Sequence, residues 1–316
     1  MQRQSGAQSV RQIFSFLRDA QAKEVPATLV TVVGLSGSST RALGTHMAVA
    51  GNGSYAGSFS GGCIEAAVVA EALDAIAEGK DRTVRFGAGS PFIDVRLPCG
   101  GGVDLLIQPQ LPAALIADCM DRLNRREPLK LLLRPSQPRL HILPPEREET
   151  GPRADDFLVW HAPDMKLVIA GNGEESLSLA QLASVFGADI LLLSPDEQVI
   201  DEARVSGFEC MRLTTPSAVD FQADPWTAII LLFHDHDWEP HLLERALHQP
   251  VFYIGAMGSK VTHEARLQLL SERGLDEAWL ARIRGPIGLI PAARDPSMLA
   301  LSALAEIAAE YRKVAR

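Results

Sequence analysis

The chain has 316 residues, room for two domains of ordinary size. Hydrophobic residues supply 47% of it and charged residues 22%, the composition of a globular protein able to bury real cores. A net charge of −9 excludes a protein built mainly on a basic nucleic-acid-binding face and gives no attraction to anionic membrane surfaces; a local basic pocket for an anionic ligand stays compatible with it.

Met1 to Gly6 is polar with no apolar segment after it, and no stretch reaches the roughly 18 consecutive apolar residues of a membrane span. The expected compartment is the reducing cytoplasm, where the four cysteines, Cys63, Cys99, Cys119 and Cys210, remain thiols.

Val10, Ile13, Phe14 and Leu17 fall on one helical face, which predicts a helix over 10–22. Pro26 ends that region, and the β-branched run over 27–33 reads as a strand. An aperiodic Gly/Ser/Thr loop over 34–44 carries a single arginine, Arg41. Residues 47–50 and 54–59 read as a hairpin about Gly51-Asn52-Gly53. Ser60-Gly61-Gly62-Cys63-Ile64-Glu65 then opens a helix that Gly79 terminates. Strands over 83–86 and 103–108 flank a second glycine-rich turn, Leu97-Pro98-Cys99-Gly100-Gly101-Gly102. A helix over 115–123 and strands over 129–134, 140–143 and 157–161 complete this half, with the Pro- and charge-rich stretch over 144–156 as surface loop or linker.

The boundary falls near Pro163, giving a first domain over 1–163 and a second over 164–316. The second half alternates, with strands expected over 166–170, 189–193, 227–233 and 251–254. Helices are expected over 174–186, 197–206, 241–248, 261–273 and 297–314. Such alternation means a parallel sheet with crossover helices, and the very apolar 227–233 strand is one buried on both faces. The fold class is α/β: an N-terminal α+β domain with glycine-rich loops, then a C-terminal Rossmann-like parallel-sheet domain.

Five segments carry chemistry. Gly171-Asn172-Gly173-Glu174-Glu175-Ser176 sits between strand and helix, as a dinucleotide-binding turn does. Gly171 permits the turn, Gly173 lets the backbone approach a pyrophosphate at the helix N-terminus, and Ser176 replaces the third glycine. Glu174 and Glu175 repel phosphates, and Ser194 stands where a ribose-binding acid is expected, with Asp196 two residues on. NAD(P) binding therefore stands beside a Rossmann-like domain that packs well and binds no dinucleotide. His234-Asp235-His236 follows the apolar strand, at its carboxyl end where open α/β folds place ligands, and supplies the catalytic candidates. These residues suit a divalent metal or proton transfer; the other reading has Asp237 capping the next helix and the histidines bonding locally. Gly255, Gly258, Ser259 and Lys260, again from strand to helix, suit an anion or form a glycine turn with a capping serine.

In the first half, Gly61 and Gly62 leave backbone amides open and put Cys63 in the first turn of a helix, whose dipole favours thiolate. A soft thiolate suits a soft metal or sulfur transfer; the alternative is a small buried cysteine. Cys99 precedes three glycines, and with Arg41 these loops are expected to line one polar, anion-accepting cleft. Cys119 and Cys210 lie in apolar segments and are expected to be inert.

Over nearly the whole chain, these segments resemble the XdhC/CoxI family of xanthine dehydrogenase accessory factors. The resemblance rests on Gly37-Ser38 to Arg41 and Gly44, Ser60-Gly61-Gly62-Cys63-Ile64-Glu65, Pro98-Cys99-Gly100-Gly101-Gly102, His234-Asp235-His236, Tyr253 to Lys260, and Gly285-Pro286-Ile287-Gly288-Leu289. It implies a protein without turnover of its own that binds the molybdopterin form of the molybdenum cofactor. The family protects that cofactor while an oxo ligand is exchanged for sulfido, and passes it to an apo molybdenum hydroxylase of the xanthine dehydrogenase type. A cysteine desulfurase partner supplies the sulfur. Cys63 is the implied contact to molybdenum, with Gly61, Gly62, Glu65, Arg41, Cys99 and Gly100 in the cofactor-binding set. Glu174 replaces the family's histidine, Ser194 its aspartate, and Thr40 a proline before the arginine. The alternatives are an NAD(P)-dependent oxidoreductase using the His-Asp-His segment for acid–base chemistry, and a scaffold that binds the partners without the cofactor. A homodimer is expected as the commonest assembly.

Overall fold

A computed structural model of the chain describes residues 9–37, 41–91, 100–134, 140–216, 220–234, 237–293 and 295–315. It divides into two compact units, Met1–Pro163 and Asp164–Arg316.

The first unit begins with α1 (Val10–Ala22), where Ser9 Oγ accepts from the Gln12 amide and Gln12 Oε1 accepts from the Ser9 amide, a reciprocal cap. Then come β1 (Ala27–Ser36), β2 (His46–Ala50), β3 (Tyr55–Ala56), α2 (Glu65–Glu78), β4 (Arg82–Gly87) and β5 (Gly102–Pro109). These strands form an antiparallel sheet ordered β3-β2-β1-β5-β4. After α3 (Ala113–Asn124), the strands β6 (Leu129–Leu133), β7 (Leu140–Leu143), β8 (Gly151–Arg153) and β9 (Asp156–His161) form a second antiparallel sheet ordered β7-β6-β9-β8. Side chains alternate across β1. Ala27 and Leu29 pack with residues of α1, α3 and the second sheet, while Val30 and Val32 pack with α2. Burial on both faces is why β1 reads as a continuous apolar run.

Two expectations differ from what is found. The 54–59 strand shrinks to Tyr55–Ala56 because Gly57 turns the chain at φ +99, so close to β2 that a Cβ there would lie 2.8 Å from the His46 carbonyl. The 144–156 stretch contains β8, which pairs with β9.

Pairing brings one end of the first sheet into functional focus. Thr31 lies opposite His46, Ala48 opposite Ala56, and Gly102 opposite both Ser36 and Gly87. The segments leaving β1, β3 and β4 and entering β2 and β5 therefore all emerge at that end.

The second unit contains β10 (Lys166–Gly171), α4 (Glu174–Phe186), β11 (Asp189–Ser194), α5 (Glu197–Val205), β12 (Glu209–Arg212), β13 (Thr227–Leu232), α6 (Glu239–Leu247), β14 (Tyr253–Ala256), α7 (Lys260–Glu272), α8 (Glu277–Leu280), β15 (Ile283–Arg284) and α9 (Pro296–Val314). Its sheet is parallel and ordered β12-β11-β10-β13-β14-β15. Numbered from β10 this is the 3-2-1-4-5-6 order of the Rossmann fold, with its switch point between β10 and β13. Leu167 and Ile169 pack with α4, α5 and α9, and Val168 and Ala170 pack on the opposite face with α6 and α8. The short elements β12, α8 and β15 had no sequence expectation. β12 reads Glu-Cys-Met-Arg at the sheet edge with both ends exposed, which leaves no alternating signal. No helix of the described residues is long and apolar enough to cross a membrane.

Candidate functional site

The loop before α2 is organised around one carboxylate. Glu65 is buried, and its Oε1 accepts from Ser58 Oγ (2.7 Å), the Phe59 amide (2.9 Å) and the Ser60 amide (2.8 Å). Its Oε2 accepts from Ser60 Oγ (2.7 Å) and the Gly62 amide (2.8 Å). Burial pushes the carboxyl pKa up, but the bonds from Ser60 and Ser58 outweigh it and hold the group at about 2. Ser60 Oγ in turn accepts from the amides of Cys63 (2.9 Å) and Ile64 (3.0 Å).

Two expectations about this loop are corrected. The helix starts at Glu65, so Cys63 lies two residues ahead of it and not in its first turn; the Ser60 hydroxyl holds the Cys63 and Ile64 amides outside the helix. The glycine amides are not open either, since Gly61 donates to Ser58 Oγ (3.0 Å) and Gly62 to Glu65. Gly61 (φ +75) and Gly62 (φ +123) leave space instead, for a Cβ at either would meet nothing within 4 Å among the described residues. Cys63 itself is exposed. The buried-cysteine reading thus fails for Cys63, whereas Cys119 is buried and its thiol is pushed up to about 12 by that burial. Cys210 is partly buried, its Sγ 3.8 Å from the Ile200 carbonyl oxygen.

Arg41 joins the same loop, its Nε donating to the Ser58 carbonyl at 2.9 Å. A Cβ on Gly100 (φ +69) would likewise meet nothing within 4 Å among the described residues, and one on Gly37 would lie 3.2 Å from Gly101 Cα, so the segment leaving β1 rests on the glycines that enter β5. Cys99 lies outside the described residues. No local pattern marks Arg85. Its Nη1 donates to both oxygens of Asp104 (3.0 and 2.9 Å), its Nη2 to Ser36 Oγ (2.6 Å) and its Nε to the Ala88 carbonyl (2.8 Å). Arg85 and Asp104 are cross-strand partners, a relation only the register reveals.

A second unforeseen cluster lies in the core of this unit. Thr31 Oγ1 is 2.8 Å from His46 Nδ1, and His46 Nε2 is 2.9 Å from His161 Nε2. Burial, and for His46 also its neighbour His161, lowers both pKa values, His161 to about 4. The pair is neutral at pH 7 and ties the two sheets together.

In the second unit the glycine turns at the carboxyl ends of the strands are filled by the protein's own side chains. A Cβ on Gly171 would lie 2.4 Å from Ser176 Oγ and 2.6 Å from the Leu232 carbonyl, and one on Gly255 would lie 2.6 Å from the Tyr253 ring. Gly173 precedes α4 at φ +114. Ser194 is buried, its Oγ accepts from the Asp196 amide (3.1 Å), and Asp196 caps α5 through the Gln198 amide (2.8 Å). The strand-tip groups that would hold a ribose are committed to the fold.

His234 is largely exposed, with Nε2 3.5 Å from Glu175 Oε1, and Asp235 and His236 lie outside the described residues. Asp237 does not cap the next helix: Trp238 is the N-cap residue and makes no side-chain bond there. Ser259 caps α7 by accepting from the Thr262 amide (3.1 Å), Gly258 adopts φ +143, and Lys260 opens the helix with its side chain exposed. Beneath them Arg266 Nε and Nη2 donate to both oxygens of buried Glu239 (2.9 and 3.0 Å), and Nη2 also donates to the Met257 carbonyl (2.7 Å). Among the described residues no group of three His, Cys, Asp or Glu side chains is placed to hold a metal ion.

Comparison with known proteins adds the following. Residues 167–307 match the family model of the XdhC Rossmann domain, and residues 20–87 that of the XdhC and CoxI family. The chain is 38% identical over 298 residues to the molybdenum cofactor insertion chaperone PaoD of Escherichia coli (strain K12), covering 94% of this chain and 87% of PaoD. It is 24% identical over 311 residues to the uncharacterized protein YqeB of the same organism, covering 93% of this chain and 45% of YqeB. Its fold matches a crystal structure described as a xanthine dehydrogenase from Bacillus halodurans, with a TM-score of 0.78 at 20% identity over 95% of this chain and 96% of that one.

Proposed function

The chain belongs to the XdhC and CoxI family, and on that premise we propose that it is a molybdenum cofactor chaperone that carries the molybdopterin-bound metal and delivers it to an apo molybdenum hydroxylase. The carried cofactor is cargo, held while a cysteine desulfurase partner supplies sulfur, and the carrier works in the cytoplasm as a homodimer without turnover of its own.

One observation carries the reading: the Cys63 thiol is exposed on a loop fixed from beneath by Glu65 and preceded by two glycines at which a Cβ would meet nothing within 4 Å among the described residues. A thiolate is a soft donor suited to a soft metal. The side-chain-free surface over Gly61 and Gly62 admits a broad, planar guest that a Cβ-bearing loop would hold off. Arg41, bonded to the same loop, brings the positive charge an anionic cofactor requires. Glu65 supports the loop without facing the guest, because both its oxygens are taken. The relative PaoD is named as a chaperone of this kind. Binding of NAD(P) receives no comparable support, given the committed Ser194 and Asp196.

The test is anaerobic incubation of the purified chain with molybdenum cofactor, followed by gel filtration and molybdenum and pterin analysis of wild type and Cys63→Ala in parallel. The wild type retains cofactor and Cys63→Ala loses it while keeping its melting temperature. A wild type that retains none overturns cofactor carriage.

A further inference from the structure

Three glycines crowd around one ion pair at the end of the first sheet from which the Cys63 loop emerges. A Cβ on Gly34 would lie 2.4 Å from Asp104 Oδ2, one on Gly102 2.8 Å from both Arg85 Nη2 and Ser36 Oγ, and one on Gly89 3.3 Å from Arg85 Nε. The strand ladder is adjusted to match. β1 bulges at Val33, since Val32 lies opposite Leu105 while Gly34, not Val33, lies opposite Asp104. In unbroken register Ser36 would point to the α2 side of the sheet; the extra residue turns it to the face of Asp104 and Arg85. There Arg85 reaches across β5, over Gly102, to Ser36 Oγ at 2.6 Å.

Stability does not account for this construction. Glycine inside a strand weakens it, and a bulge interrupts the ladder. An ion pair whose side chains are 33% and 29% exposed adds little in return. What the pair does supply is a fixed relation between three chain segments. Arg85 Nη1 donates to both Asp104 oxygens near the start of β5, Nε to the Ala88 carbonyl just past β4, and Nη2 to Ser36 at the end of β1. From that end of β1 the chain returns to β2 by way of Arg41, whose Nε donates to the Ser58 carbonyl of the Cys63 loop. We propose that Arg85 is a positioning residue of the cofactor site: acting through Ser36, it sets the course of the segment that brings Arg41 to the Cys63 loop. The inference rests on the carrier reading above and adds to it a residue that acts without touching the cofactor.

Limited trypsin digestion of the native full chain, with products identified by mass, tests it together with a chase that times the loss of bound molybdenum cofactor. Cleavage after Arg41 follows the population in which the segment has left its place. It becomes about tenfold faster in Arg85→Ala and in Ser36→Ala, the worth of one bond to a charged group. The double variant is cut no faster than Arg85→Ala, because the two residues act as one. Cleavage after Arg126, between α3 and β6, is unchanged. Cofactor leaves both single variants faster by a similar factor. Val84→Ala, which truncates a buried side chain on the α2 side of the same strand, lowers the melting temperature and moves neither rate. The proposal falls if Arg85→Ala leaves cleavage after Arg41 unchanged, if Val84→Ala raises it as much, or if the double variant multiplies the single effects. It falls too if cleavage quickens while the cofactor leaves no faster. A wild type that retains no cofactor overturns the carrier reading and the positioning role with it, and the cleavage contrast alone then decides whether Arg85 governs the segment.

Discussion

Replacing Glu65 by glutamine is the sharpest probe of the loop that presents Cys63. The change keeps shape and size and removes the charge. Five donors converge on the carboxylate, at 2.7 to 2.9 Å. Glutamine retains one acceptor oxygen and turns an NH2 group either toward the two donors on one side, Ser60 Oγ and the Gly62 amide, or toward the three on the other. The ionised form is favoured in the fold by the difference between an ordinary pKa of 4.5 and about 2, which corresponds to about 3 kcal/mol. A buried, charge-assisted set of this kind loses a similar amount when its acceptor is changed. For a unit of this size that is a fall in melting temperature of about 6 to 12 °C at pH 7. Because the folded pKa is depressed, the contribution is present above about pH 4.5 and is lost as pH falls: about 1.4 kcal/mol remains at pH 3 and less than 0.5 kcal/mol at pH 2. Thermal unfolding of wild type and Glu65→Gln, followed by circular dichroism at pH 7, 4 and 3, measures the difference. A gap under about 2 °C at pH 7, or one that does not narrow between pH 7 and pH 3, refutes the assignment of Glu65 as the loop's organiser.

Two further outcomes follow from the cores. Both His46 and His161 are held neutral below their ordinary pKa. The unfolded chain takes up protons that the fold refuses, so stability falls as pH drops from about 6.5 toward 4. Melting temperatures at pH 7 and pH 5 fall less for His161→Phe than for wild type; an equal fall in both removes the pair from the acid response. Gly171→Ala and Gly61→Ala separate packing glycines from open ones. The first places a methyl group 2.4 Å from Ser176 Oγ and 2.6 Å from a carbonyl of the neighbouring strand, costing about 3 kcal/mol or more. The second meets no described residue within 4 Å but adopts φ +75, costing about 1 kcal/mol. Urea unfolding of each variant reads the contrast, and equal losses would defeat it.

Much of the fold was legible in the sequence, and the exceptions have physical causes. Helix α4 begins at Glu174 and ends at Phe186, with Gly187 in the left-handed conformation, and glycine turns at both ends mark those limits in the sequence. Helix α9 is announced by Asp295, whose side chain caps it, and by Pro296 in its first turn. β12 and β15 leave no such marks. They are short, sit beyond the central strands and gain their partners only once β11 and β14 are in place. The site was legible as a set of motifs and not as a set of contacts. Arg85 meets Asp104, and His46 meets His161 across 115 residues, through register and sheet packing that no local pattern encodes. Position alone groups Glu65 with the cofactor-binding residues, since it closes the Gly-Gly-Cys segment, whereas its carboxylate is directed into the loop it belongs to.

The glycines show why a glycine-rich turn is weak evidence for a ligand until the space around it is known. At Gly171 and Gly255 the missing Cβ is replaced by Ser176 and by the Tyr253 ring, so close packing alone accounts for them. At Gly61 and Gly62 no described residue supplies a packing reason, and the backbone supplies one: positive φ at two successive residues, +123 being open to glycine alone, bends the chain around the Glu65 carboxylate. Wrapping an internal anion uses up the amides that an external phosphate would have sought. The same bend leaves a shelf without side chains beside an exposed thiol. A loop of this construction is poorly suited to cradling a phosphate and well suited to a flat guest that offers a soft metal, and that distinction favours Cys63 over the glycine amides as the point of contact.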